Sequence, residues 1–274
     1  MTRICFPPGL PATACPGGAS TRRFDILSDL RVHGARAGGT AVSSDAPGTP
    51  EYITRGQEIV EDLHSDYQHI VITRDPDYGY VLYLDGDMQI AESDAAYHRA
   101  VTDPIIQAGL MGRVLILGGG DGGVLKAAVH AGATQATLVD IDAKVVELAR
   151  MYLPGLCEDA FDAPNARVVI GDAFAWLDAA AGYDAIVYDL TMEPVRENQS
   201  RLEFIEEIVS RAATSLQPEG MLTMQCCSEH QPQLREEIHQ ALTRHFTAVS
   251  QRPVVVPSYH ERWIFAGARY PRRD

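Results

Sequence analysis

The stretch Val114-Leu115-Ile116-Leu117-Gly118-Gly119-Gly120-Asp121-Gly122-Gly123 decides the fold. An apolar run enters a glycine loop, and a helical pattern opens after Gly123, which is the usual seat of a nucleotide. Glycines let a backbone approach a ligand closely, and a helix N-terminus normally attracts phosphate. Asp121 works against that use, because a carboxylate inside the loop repels a pyrophosphate. The loop therefore favours an adenosine ligand without phosphates and with positive charge nearby, such as a sulfonium nucleoside.

From Arg113 onward strands and helices alternate. RVLILG leads into the helix after Gly123, and ATLVDID leads into AKVVELARMYL. ARVVIGD precedes a short helix near AFAWLDAA, and YDAIVYDL precedes RLEFIEEIVSRAATSL. GMLTMQCC, the helix QLREEIHQALTRHF and two terminal strands near VSQRPVVV and RWIFAGA follow. Alternation with nearly continuous apolar strands predicts an α/β fold, a Rossmann-like, methyltransferase-type doubly wound parallel sheet covered by helices on both faces. Ligands bind such sheets at the carboxyl ends of the strands. Those ends carry Asp121, Asp140, Asp172 and Asp189.

Upstream, EIVEDL, YQHIVITR and YGYVLYLDG read as strands of a small antiparallel sheet, separated or ended by Asp75-Pro76-Asp77 and Asp85-Gly86-Asp87. A helix carrying Tyr97 and His98 is expected from about Asp94 to Thr102, with Asp103-Pro104 ending or kinking it. The first fifty residues, rich in Pro, Gly, Ala, Ser and Thr, read as a disordered extension or a misassigned translation start. The expected organisation is thus an extension over 1–50, a small β domain with its linking helix over 51–108, and a catalytic domain over 109–274. The small sheet has too little core to stand alone, so it should cover the site or pair with another subunit.

Composition narrows the partners. A formal net charge of −14 over 274 residues disfavours nucleic acid, whose phosphates require a basic surface, and suits cationic ligands. The five cysteines, Cys5, Cys15, Cys157, Cys226 and Cys227, form no CxxC pair and read as reduced thiols of a cytoplasmic protein. No apolar run is long enough to span a bilayer, and the N-terminus lacks the continuous hydrophobic segment of a secretory signal.

Each acidic position has two readings. Asp140 ends a strand about twenty residues beyond the glycine loop, where a carboxylate can accept hydrogen bonds from both ribose hydroxyls; alternatively it caps the next helix, a job for which Asp142 competes. Asp172 can bind an adenine amino group or serve as a plain helix cap. A carboxylate at the exit of a buried strand, as at Asp189, is costly unless paired, capped or used. Tyr97 and His98 can be packing residues of a helix that covers a sheet, or ligands.

Taken together, Tyr67-Gln68, Tyr78-Gly79, Leu84-Asp85-Gly86 with Gln89, Tyr97-His98, GGGDGG at 118–123, Asp140, Gly171-Asp172 and Asp189 resemble the spermidine synthase family of polyamine aminopropyltransferases. The resemblance runs from about Glu58 to the C-terminus, and the tail Val256-Pro257-Ser258-Tyr259 with Trp263 is similar to the family's substrate-pocket segment. It implies that Gln68, His98, Asp121, Asp140, Asp172 and Ala173, with Gly118 and Gly120, hold decarboxylated S-adenosylmethionine as a co-substrate, with no permanently bound cofactor. Asp189 would accept a proton, assisted by Tyr97. Glu193, Tyr259, Tyr78 and Trp263 would face the amine, and the chain would form a homodimer or homotetramer.

The residues suit that chemistry. An alkylamine has a pKa of about 10.4 and is protonated near neutrality, so a site must bind the cation, remove a proton and hold nitrogen about 3–3.5 Å from the reacting carbon. Clustered carboxylates attract the cation, one can take its proton, and no metal is required. They would also repel the carboxylate of intact S-adenosylmethionine.

The amine half departs from the family's pattern. The loop from Asp189 to Pro194 is one residue longer, and Glu193 stands where a second Asp is usual. The Leu190-Thr191 variant resembles members acting on agmatine or longer polyamines. Arg196 or Arg262 could tolerate a carboxylate on donor or acceptor, which leaves a small-molecule methyltransferase or aminocarboxypropyltransferase as an alternative. A non-catalytic nucleoside-binding protein is the remaining one.

Overall fold

The computed structural model describes residues 42–43, 53, 56–192 and 198–273. Five antiparallel strands form the first sheet: β1 (Val42–Ser43), β2 (Glu58–His64), β3 (His69–Asp75), β4 (Gly79–Leu84) and β5 (Asp87–Ala91), in that spatial order. Of the stretch expected to be an extension, Val42–Ser43 pairs with β2, and the rest lies outside the described residues. Strand β5 goes beyond the sequence reading, which stopped at the Asp-Gly breaker. Asp85 and Gly86 are instead the two-residue turn of a hairpin, with φ of 50° and 86° and Leu84 paired to Asp87. Two consecutive positive φ values match the right-handed strand twist, which is why Asp-Gly joins strands here.

Helix α1 (Ala95–Gln107) links the sheets and contains Pro104, so the proline does not end it. A proline at this position leaves the Ala100 carbonyl without its intrahelical donor. The Arg252 guanidinium donates to that carbonyl at 3.1 Å. Tertiary structure thus repairs what the proline removes.

The second sheet has seven strands in the order β11-β12-β10-β9-β6-β7-β8. These are β6 (Arg113–Gly118), β7 (Gln135–Asp140), β8 (Ala166–Ile170), β9 (Tyr183–Asp189), β10 (Leu216–Ser228), β11 (Phe246–Val256) and β12 (Glu261–Pro271). The first five run parallel, connected through α2 (Gly123–His130), α3 (Ala143–Tyr152), α4 (Pro154–Cys157), α5 (Ala173–Ala179) and α6 (Arg201–Ser215). After α7 (Pro232–His245), β11 and β12 pair antiparallel, which corrects the expectation of a parallel sheet throughout to a mixed one. A direct β11–β12 turn makes antiparallel pairing the short route.

Alternate residues of β6 enter different cores. Val114 and Ile116 join α1, α2 and the inner face of the small sheet through Ile70, Ile72 and Leu82, while Leu115 and Leu117 join α5, α6 and α7. The two sheets therefore share one core. A buried carboxylate fastens the joint: Asp94 accepts the Ala91 N–H at 2.8 Å, the Ser258 N–H at 3.0 Å and the Ser258 hydroxyl. No helix among the described residues is long and apolar enough to cross a membrane. Asp94→Ala leaves two buried N–H groups without their acceptor and is expected to lower the unfolding free energy in urea by about 2–4 kcal/mol. A loss under about 1 kcal/mol would show that the clasp does not hold the sheets together.

Candidate active site

The parallel strands deliver their acidic residues to one edge of the sheet. Gly118 at the end of β6 lies in register with Asp189 at the end of β9, and Asp140 at the end of β7 with Ile170 of β8. The glycine loop fits between these carboxylates. A Cβ on Gly118, where φ is +79°, would strike the Asp189 main chain and the Leu190 side chain. One on Gly120 would lie 2.8 Å from Asp140 Oδ2 and 2.9 Å from the Val145 side chain. The glycines thus make room for the chain's own acids as well as for any ligand.

Each acid has a defined partner. Asp121 Oδ1 accepts the Gly123 N–H at 2.8 Å and lies 3.0 Å from His98 Nε2, with both side chains buried. Asp140 accepts the Gly120 N–H at 3.0 Å and the Asp142 N–H at 2.9 Å, while Asp142 caps α3 by accepting the Lys144 N–H. The cap and the loop contact are therefore divided between the two aspartates. Asp189 accepts a short hydrogen bond from the Tyr97 hydroxyl.

Electrostatics follow from this crowding. Burial, reinforced by the Asp121 charge against the opposing Tyr97 bond, pushes the Asp189 carboxyl up to about 6. Burial likewise carries Asp140 up to about 6, although two N–H donors oppose it. Burial and the Asp189 charge raise the Tyr97 phenol, so it stays protonated and donates. For His98, burial lowers the pKa, but the Asp121 charge and hydrogen bond outweigh it and the net shift is upward.

The other expected residues divide into two groups. Tyr259 and Trp263 gather beside Tyr97: Tyr259 packs edge-to-face on Trp263 at 5.4 Å and on Tyr97 at 6.3 Å, and its hydroxyl donates to the Gln89 carbonyl at 2.6 Å. Tyr78 approaches through His260, with ring centroids 5.4 Å apart. Asp172 and Ala173 stand at the start of α5, where Asp172 is exposed and caps the Phe174 N–H at 2.8 Å through Oδ1. Gln68 Nε2 binds Asp142 at 2.9 Å. Glu193 and Arg196 lie outside the described residues.

Sequence reasoning passed over Ser65, Asp94 and Gln225. Gln225 accepts the Trp263 indole N–H at 2.8 Å and donates to the Leu190 carbonyl at 3.0 Å, tying the loop after Asp189 to the terminal hairpin. These bonds join segments far apart in the chain, so no local pattern announces them. Away from the site, exposed His130, Glu158 and Asp159 bring potential metal-ligand atoms within 4.8 Å of one another, but Lys126 Nζ already lies 3.4 Å from Glu158.

Because Asp189 holds its proton more tightly folded than unfolded, stability falls as pH rises through the interval from about 4 to 6. Asp189→Asn removes the buried charge. It is expected to be more stable than the wild type at pH 8, with the advantage vanishing below pH 4; a pH-independent difference in thermal unfolding would refute the assignment.

Known proteins resemble this chain over most of its described length. Residues 95–270 match the family described as the Spermine/spermidine synthase domain, and residues 57–92 match the Spermidine synthase tetramerisation domain. The polyamine aminopropyltransferase of Pyrobaculum calidifontis is 35% identical over 216 residues, covering 75% of this chain and 74% of the relative. That of Pectobacterium atrosepticum is 34% identical over 202 residues, covering 72% and 69%. The crystal structure of spermidine synthase from Thermotoga maritima superposes with a TM-score of 0.68 at 26% identity, over 77% of this chain and 72% of that one. A spermidine synthase in complex with the transition state analogue AdoDATO gives 0.69 at 26% identity, over 77% and 73%. With its acidic strand ends, its glycine loop and its small N-terminal sheet, this chain belongs to the spermine/spermidine synthase family, the polyamine aminopropyltransferases.

Proposed function

We propose that the protein transfers the aminopropyl group of decarboxylated S-adenosylmethionine to a primary amine such as putrescine, agmatine or a longer polyamine, releasing 5′-methylthioadenosine. The observation that carries this reading is Asp189, half-buried among like charges and bonded to the Tyr97 hydroxyl. The amine arrives as an ammonium and is drawn by the negative site. Asp189 takes its proton, and the freed lone pair attacks the propyl carbon next to sulfur. The C–S bond breaks, and its electrons neutralise the sulfonium. Raising the carboxyl to about 6 narrows the gap to an amine pKa of about 10.4 and makes Asp189 a better base.

On the donor side, Asp140 would bind the ribose hydroxyls with help from Gln68, and the Asp172 oxygen not used in capping would meet the adenine amino group beside Ala173. Asp121, held by His98, would face the ammonium of the aminopropyl arm. Gly118 and Gly120 let the nucleoside approach the strand ends. On the acceptor side, Tyr259, Trp263, Tyr78 and Glu193 would face the amine. A carboxylate-bearing substrate gains little support from Arg262, which is exposed and paired with Glu229 at 2.6 Å. The match to a tetramerisation domain over 57–92 supports assembly as a homodimer or homotetramer through the small sheet. Free Cys157, Cys226 and Cys227 support a reducing, cytoplasmic setting.

Incubation with intact or decarboxylated donor and a panel of putrescine, cadaverine, agmatine, spermidine and amino acids, followed by mass spectrometry, tests the assignment. Aminopropyl adducts from the decarboxylated donor alone are expected; methyl adducts, or products only from the intact donor, would sink it. Asp189→Asn should lower kcat by about 10²–10⁴-fold while leaving 5′-methylthioadenosine affinity unchanged. In the wild type, kcat/KM should fall as pH drops below about 6, where Asp189 becomes protonated.

A further inference from the structure

We infer that Asp142 is a positioning residue for the donor nucleoside, acting through Gln68; this rests on the reading of Gln68 and Asp140 as donor-binding residues. Asp142 is 2% exposed and meets two segments at once. Its Oδ1 caps α3 through the Lys144 N–H at 3.0 Å. Its Oδ2 receives the Ser65 hydroxyl at 2.6 Å and Gln68 Nε2 at 2.9 Å, both from the tip of the β2–β3 hairpin.

The direction of these bonds is forced. The Ser65 oxygen accepts the Tyr67 and Gln68 N–H groups, each at 3.1 Å, so its part in the contact with Asp142 is to donate. Asp142 at 2.6 Å outcompetes the Gln68 carbonyl at 3.3 Å for that single hydrogen, being nearer and charged. An ionised carboxylate only accepts, so Gln68 must turn its NH₂ toward Asp142. Gln68 Oε1 is then left as an acceptor with no protein partner among the described residues. The Asp142 N–H also holds Asp140 Oδ1 at 2.9 Å. One residue therefore fixes two acceptors, and their chemistry fits a ribose whose two hydroxyls both donate. A solely capping role for Asp142 would require neither contact from the hairpin.

The test is a double-mutant cycle on the full chain, read by calorimetric titration with 5′-methylthioadenosine. Asn caps helices as well as Asp, so Asp142→Asn should retain α3, but its amide cannot satisfy both the cap and the hairpin donors. Asp142→Asn and Gln68→Ala are each expected to raise Kd about tenfold. The double variant should bind no more weakly than Gln68→Ala alone, because Asp142 has nothing left to orient. Should Asp142→Asn fail to fold, Ser65→Ala leaves the α3 cap intact, and it too should weaken binding only while Gln68 is present. Equal losses from Asp142→Asn in both backgrounds would place its role in the helix and overturn the inference, as would an unchanged Kd in either single variant. A wild-type protein that does not bind 5′-methylthioadenosine would instead overturn the donor assignment itself.

Discussion

Negative charges held close together at the ends of parallel strands are the constraint on which the rest of this structure depends. Asp121, Asp140 and Asp189 repel one another, and burial makes the charges of Asp140 and Asp189 harder to keep. The fold manages this by giving each carboxylate a donor: His98 and the Gly123 N–H for Asp121, two backbone N–H groups for Asp140, and the Tyr97 hydroxyl for Asp189. The unrelieved part of the repulsion, together with burial, leaves the Asp189 carboxyl raised to about 6.

Three separated segments meet around these carboxylates and the neighbouring Asp142. The glycine loop can lie beside Asp140 and Asp189 because it carries no Cβ there. Helix α1 brings Tyr97 and His98 side by side, packed between the small sheet and the larger one. The hairpin tip at Ser65 and Gln68 reaches over to Asp142 from the small sheet. The small sheet therefore meets the larger one beside the acidic strand ends, and its attachment through Asp94 and Ser258 also places the turn that carries Tyr259.

The larger sheet and its helices were legible because their signals are local. A strand, a glycine turn and a helix occupy consecutive residues at 114–130, and the acids recur at the same point of successive repeats. What escaped were features whose cause lies elsewhere in the chain. The Asp85-Gly86 signal reads equally as the end of a strand or as a hairpin turn, and only pairing with β4 makes β5 a strand. Pro104 reads as a helix end until Arg252, far along the chain, supplies the missing donor to Ala100. Asp140 and Asp142 are two residues apart and chemically alike, so either suits the cap on sequence grounds. Their division of labour comes from the glycine loop on one side and the hairpin on the other.

The sequence by itself determined an α/β chain with acidic residues gathered at its strand ends, because strand hydrophobicity, glycine placement and the positions of aspartates are properties of short windows. It also contained the motifs that mark the family. Only the tertiary structure decided which partner each carboxylate has, since those partners lie 92 residues apart for Tyr97 and Asp189 and 74 for Gln68 and Asp142. Hydrogen bonds are directional and short, so their assignment waits until packing has brought distant segments within about 3 Å.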